Sequence, residues 1–110
     1  MSTSDNFDYR GIDEILHSRI RLSVVSVLSR CEEAEFTFVR DALGATDGNL
    51  TTHCRKLEEA EYITVTKRFV QKKPATFFSL TEKGKKALME YAQKLSGLIE
   101  GQNAVEGETK

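Results

Sequence analysis

"FTFVRDALGATDGNLTTHCRKLEEAEYI", residues 36–63, contains two amphipathic runs separated by a glycine and two small residues. In the first run Phe38, Val39, Ala42 and Leu43 are the apolar positions of a short helix that Thr37 is placed to cap, with Phe36 before it in a very short strand. Gly44 stands where a helix ends in the left-handed conformation, which a residue without Cβ adopts at little cost. Ala45 follows, and Thr46 is placed to cap the next helix. Two helices joined by so short a glycine-containing turn make a helix-turn-helix. In the second helix Cys54 and Leu57 fall within about 40° of Leu50 at ~100° per residue, which predicts a buried stripe. Gly48, Thr52, Arg55 and Glu59 lie opposite it, flanked by Asn49 and Lys56.

Upstream, Ile12, Ile15 and Leu16 recur at helical spacing and predict a first helix ending at His17 and Ser18. Ser18 can cap a second helix with a stripe of Ile20, Val24, Val27 and Leu28, widened by Leu22 and Val25. "CEEAE", residues 31–35, reads as a turn or loop. Downstream, "YITVTKRFV" alternates β-branched and aromatic residues and reads as a strand. "QKKPA", residues 71–75, holds the only proline and connects to a second strand, "TFFSL". Thr81 can then cap a final helix over residues 82–100, with Leu88, Tyr91, Ala92, Leu95, Leu98 and Ile99 on one stripe. Residues 1–10 and 101–110 show no periodicity and are expected to be a loose N-terminus and a disordered tail. The expected fold class is mostly α with a small β-hairpin, in one domain over residues 11–100.

Apolar residues at 39% and charged residues at 30% suit a soluble globule with one modest core. No apolar run reaches the ~18 residues of a membrane span, and the polar start has no signal-peptide core, so the chain is expected in the cytoplasm with no membrane partner. Two isolated cysteines fit a reducing compartment. The net charge of −1 hides an uneven distribution. Residues 1–39 carry −3, residues 40–86 carry +4 and residues 87–110 carry −2. A basic centre between acidic ends steers a polyanion toward that centre.

A helix lined with small polar residues at its start suits the DNA major groove, where N-terminal residues of such a helix reach base edges. The candidate recognition residues are Thr46, Asp47, Gly48, Asn49, Thr51, Thr52, Arg55 and Lys56. Asn49 can pair bidentately with adenine, while Arg55 and Lys56 suit phosphate or guanine. Asp47 reads as a capping residue or as an acceptor for a cytosine amino group. The hairpin supplies Lys67, Arg68, Gln71, Lys72 and Lys73, with no acid between residues 62 and 73, and a wing of that kind fits the DNA backbone or the minor groove. Each piece has a plainer explanation: a solvated surface helix, or an edge strand guarded by lysines. Their order along one chain favours duplex DNA.

"HSRIRLSVVSVLS", the quoted 36–63 stretch, "KRFVQKKPATFFSLT" and "LTEKGKKAL" resemble the winged-helix DNA-binding family related to MarR and ArsR-type prokaryotic transcriptional regulators. The resemblance runs from about Ile12 to Leu98 and is most specific in the pattern SDGNLSxHLRKLEEAGY. Arg19 departs from it where a proline often follows "HS", and Cys54 stands in place of the usual leucine. It implies a winged helix-turn-helix and a sequence-specific regulator of transcription, more often a repressor.

Regulators of this kind act as two-fold dimers on palindromic operators. The expected seam pairs the final helix, through Leu88, Tyr91, Leu95, Leu98 and Ile99, with the first, through Ile12, Ile15 and Leu16. It would place two recognition helices ~34 Å apart, one DNA turn. No phosphate-binding loop, nucleophile elbow or metal-ligand spacing occurs, so no enzyme activity, metal or cofactor is expected. His53 lies at the edge of the buried stripe and reads as a packing or hydrogen-bonding residue. Two rival readings stay open: a winged helix used for protein contacts, and a sensor answering to a small-molecule effector or to oxidation of Cys54.

Overall fold

The structure, a computed structural model, describes residues 11–109, with side chains for residues 11–97. The elements run α1 (Arg19–Leu28), β1 (Ala34–Glu35), α2 (Phe36–Leu43), α3 (Asp47–Glu59), β2 (Ile63–Val70), β3 (Lys73–Leu80) and α4 (Glu82–Thr109). Three antiparallel strands form one sheet in the order β1-β3-β2. The expected loose segment 1–10 lies outside the described residues. α4 is assigned past Glu100, where the expected tail begins, but side chains there also lie outside the description.

No helix forms over Ile12–Ser18. The Asp13 carboxylate accepts from the backbone N–H groups of Ile15 (2.8 Å) and Leu16 (3.2 Å), and this local capping folds the segment into turns. The turns push Leu16 fully into the core. α1 starts at its expected cap, where Ser18 Oγ accepts from the Arg21 N–H at 3.3 Å. Its buried residues are Val24, Val25 and Leu28, so the stripe is centred away from the expected Val27.

The short strand forms at Ala34–Glu35, pairing with Phe78 and Phe77 of β3, and Phe36 is already helical. Thr37 therefore sits inside α2, and Glu35, at the cap position, makes no side-chain cap bond. Phe36, Val39 and Leu43 face the core at helical spacing, while Phe38 is 59% exposed. Phe36 packs tilted against Phe78, with ring centroids 6.0 Å apart. Gly44 ends the helix at φ 66°, and its N–H donates to the Asp41 carbonyl at 3.2 Å.

α3 ends in the same way but without a glycine. Glu61 lies at φ 66°, while the Tyr62 N–H donates to Leu57 O (2.9 Å) and the Glu61 N–H to Glu58 O (2.9 Å). Thr81 then caps α4, accepting from the Gly84 N–H at 2.9 Å and donating its hydroxyl to Glu61 O at 2.7 Å. Gly84 permits this junction: a Cβ there would lie 2.3 Å from the Tyr62 carbonyl oxygen. Beyond it Ala87 and Tyr91 are buried and Leu88 and Leu95 half-buried against the core, whereas Ala92 faces outward.

The hairpin ladder runs unbroken from Ile63↔Leu80 to Val70↔Lys73. Only Gln71 (φ 53°) and Lys72 (φ 68°) make the turn, so the expected QKKPA loop is mostly strand. Positive φ at both central positions matches the right-handed twist of the flanking strands. β1 pairs with β3 only at Phe77 and Phe78. Pro74 therefore sits where β3 has a neighbour on one side alone, and its missing N–H costs the sheet little.

Candidate nucleic-acid interface

α3 presents the two faces expected of it. Leu50, Cys54 and Leu57 are buried, and Thr46, Asp47, Gly48, Asn49, Thr51, Thr52, Arg55 and Lys56 are all exposed. Thr46 Oγ1 caps the helix by accepting from the Asn49 N–H at 3.1 Å. Asp47 is thus the first helical residue and not the cap. Its carboxylate accepts from Arg40 Nη1 at 3.0 Å, while Arg40 Nε holds Asp41 at 2.9 Å. Arg40 is held between two carboxylates, which raises its pKa, with the Asp41 hydrogen bond the largest cause. It bridges α2 to the start of α3 and offsets the acid nearest the exposed helix end.

Gly48 has no role inside the chain. Its φ is not positive, and a Cβ built on it would meet nothing within 4 Å. A glycine in a helix interior costs about 1 kcal/mol against alanine, and less in the first turn, where Gly48 stands. The space it leaves faces outward, beside Asn49 and Thr52.

His53 is half-buried, and its Nδ1 lies 3.0 Å from Arg21 Nη1, whose Nε donates to the Ile15 carbonyl at 2.6 Å. A guanidinium only donates, so Nδ1 accepts and the ring proton is on Nε2. Burial first, and then the Arg21 and Lys56 charges, lower the His53 pKa. The ring braces α1 against α3. Cys54 is 3% exposed, and burial, helped by the Glu58 charge, pushes its thiol up to about 12. Its thiolate is scarce at neutral pH, which counts against the oxidation-sensor reading at this residue.

On the wing, Lys67, Gln71, Lys72 and Lys73 are exposed, and Lys67 reaches the cleft that separates the hairpin from α3. That cleft, of about 540 Å³, has Cys54, Val65 and Phe78 among its lining, with Arg55 and Lys67 on opposite walls. Arg68 belongs elsewhere. It holds Glu33 in a two-pronged pair (Nη1–Oε1 3.1 Å, Nη2–Oε2 2.6 Å) and lies over the Phe77 ring at 3.7 Å. The pair lowers the Glu33 pKa and raises that of Arg68, through their hydrogen bond first. This cation tethers the wing to the segment before β1.

Two residues of the expected dimer seam are occupied within the chain. Leu16 is wholly buried, and Tyr91 is 7% exposed with its hydroxyl 3.0 Å from His17 Nδ1. Ile12, Ile15, Leu88 and Leu95 are half-covered by the same core, and the side chains of Leu98 and Ile99 lie outside those described. Arg21, Glu33, Arg40 and Gly84 were not singled out from sequence. Arg21, Glu33 and Gly84 act through partners that the turns and the sheet bring near, and Arg40 through its neighbour Asp41 and through Asp47 across the turn. Among the described residues no cluster of His, Cys, Asp and Glu is placed to hold a metal ion, and no helix is long and apolar enough to cross a membrane.

The winged helix DNA-binding domain family matches residues 20–99, most of the chain. The chain belongs to the winged helix DNA-binding domain family. An uncharacterized protein of Methanocaldococcus jannaschii is 30% identical over 82 residues, covering 74% of this chain and 89% of the relative. A transcriptional regulator homologue of Pyrococcus horikoshii is 27% identical with a TM-score of 0.77, covering 82% of this winged helix and 89% of that chain. The zinc-responsive MarR family member ZitR of Lactococcus lactis shares the fold, with a TM-score of 0.60 at 16% identity over 87% of this chain and 65% of its own. The fold is therefore that of winged-helix transcriptional regulators, with α3 in the place of the recognition helix and β2–β3 as the wing.

Proposed function

We propose that this winged helix is a sequence-specific regulator of transcription that binds duplex DNA as a homodimer, acting as a repressor by occluding a promoter. One observation carries the reading. Gly48 is conformationally unneeded and opens onto solvent, on the same exposed surface as Asn49, Thr52, Arg55 and Lys56. The missing side chain lets something outside come close there, and a major groove is wide enough to hold the helix. Arg55 and Lys67 share one cleft, so helix and wing would address adjacent parts of the same duplex. In that arrangement Asn49 and Thr52 read bases, while Lys56, Lys67, Lys72 and Lys73 hold phosphates.

The dimer rests on α4. Its 28 residues would measure about 42 Å, and the chain is 62 Å along its longest axis against 27 and 24 Å across. Met89 is 61% exposed and Leu88 and Leu95 are half-covered, so a second copy would cover this helix, together with Leu98, Ile99, Ile12 and Ile15. Two recognition helices one turn apart then call for an inverted repeat.

Selection from a random duplex library, followed by sequencing, tests the reading. Enrichment of an inverted repeat supports it, and no enrichment of any sequence overturns it. Sedimentation of the full chain should give a dimer, and Leu95→Glu a monomer.

A further inference from the structure

Phe69 is 74% exposed, more than any other large apolar side chain among the described residues. It stands on β2 opposite Pro74, one step from the turn and two residues beyond Lys67. Alternate residues of a strand share a face. Ile63, Val65 and Lys67 on β2, with Phe78 and Thr76 on β3, are that face; the first is buried, and the others line the cleft against α3. Phe69 therefore continues the α3-facing side of the wing by about 7 Å past Lys67. It takes no part in the core, and Pro74 beside it is exposed too.

The wing's own charges beside this apolar tip are all positive, and the acids near it come from the segment around β1: Glu33, paired with Arg68, and Glu35, which lines a shallow pocket with Lys67 and Pro74. Lys67, Lys72 and Lys73 lie within four residues of it along the hairpin, and no acid occurs from residue 62 to residue 73. A wing that only neutralised phosphates would need lysines but no phenylalanine among them. An exposed aromatic ring among lysines of the same hairpin matches a target with anionic edges and an apolar interior, which describes the minor groove and its base stack.

We infer that Phe69 is a wedge that enters the minor groove next to each half-site and partly unstacks one base step, kinking the duplex. This rests on the DNA-binding reading above. Side chains of this type kink DNA by about 20–90°. The kink is easiest at flexible pyrimidine–purine steps, so Phe69 confers sequence preference at a position that α3 never touches.

The test uses the full-length protein and the duplex enriched by selection, with 2-aminopurine at the step facing the wing and a fluorophore pair at the ends. The parent should raise 2-aminopurine fluorescence and shorten the end-to-end distance. Phe69→Ala should lose both signals and bind about tenfold more weakly, the size of one mismatched base pair, with an unchanged slope of log K on log salt. Phe69→Leu should keep part of each signal. If the parent binds while the 2-aminopurine signal stays flat, or Phe69→Ala bends the duplex as the parent does, the wedge is overturned and the DNA-binding reading stands. If the parent binds no duplex, both fall. If Phe69→Ala instead dissociates the dimer, the tip is a contact between copies and the wedge is overturned.

Discussion

Arg21 Nη1 lies 3.0 Å from His53 Nδ1 and joins the first helix to the edge of the recognition helix. The bond requires a neutral imidazole, and burial first, then the Arg21 and Lys56 charges, lower the His53 pKa. In the unfolded chain the ring titrates near 6.5, so below that pH the unfolded state binds the extra proton more readily. The stabilisation is complete above about pH 6.5 and is lost as the pH falls toward the lower folded value. Thermal melts at pH 7.5 and pH 5.5 should show the parent losing more stability on acidification than His53→Asn, whose carboxamide oxygen accepts from Arg21 without titrating.

Gly84→Ala should destabilise the fold by about 1–3 kcal/mol through overpacking. The new Cβ would lie 2.3 Å from Tyr62 O and 2.7 Å from Leu80 Cδ1. The carbonyl has little freedom to move, because it also accepts from the Thr81 N–H at 3.0 Å. Urea denaturation of the two proteins measures the difference.

Glu61→Gly should act in the opposite direction. Glu61 holds φ 66° at the end of α3, a conformation that costs a residue with a Cβ roughly 1–2 kcal/mol. Glycine's larger unfolded-state entropy returns part of that, leaving a net gain of about 0.5–1 kcal/mol. The lost pair with Lys83, 3.3 Å and exposed, offsets little of it. The melting temperature should rise.

Leu50 and Asn49 are adjacent, and their substitutions should separate fold from function. Leu50 is fully buried, so Leu50→Ala should cost about 2–5 kcal/mol of stability through the cavity it leaves. Asn49 is exposed, so Asn49→Ala should leave the melt almost unchanged while weakening binding to the best duplex by about 1–3 kcal/mol. Melting curves beside titrations of one duplex test both.

The five polar wing residues should not contribute alike. Lys72 and Lys73 are exposed at the turn, and each Lys→Ala change should reduce the slope of log K on log salt by about 1 per protomer. Arg68 is already paired with Glu33, so Arg68→Ala should change that slope less and lower stability instead. Titrations at several salt concentrations distinguish the two classes.

Some of this was legible because the governing forces act within one or two helical turns. Gly44 ends its helix, Ser18, Thr46 and Thr81 cap theirs, and Leu50, Cys54 and Leu57 form the buried side of α3, each as its neighbours in sequence require. The exposed surface of α3 follows from that stripe by helical geometry alone.

Where local propensity is ambiguous, packing made the choice. Ile12, Ile15 and Leu16 have helical spacing, but the Asp13 carboxylate captures the backbone N–H groups and Leu16 drops into the core. Phe36 and Phe38 are both candidates for burial, and the position of Phe78 selects Phe36. Arg68 reads as one more wing cation until the sheet places it beside Glu33, 35 positions earlier.

Sequence by itself determined the helices from Ser18 onward, the caps at Ser18, Thr46 and Thr81, the presence of a hairpin and which side of α3 stays wet, because hydrogen bonds and side-chain periodicity are short-range. Only the tertiary structure decided which charges are already satisfied, which apolar residues the core consumes and which glycine is indispensable. Those outcomes depend on distances between segments remote in the chain, which no local pattern encodes.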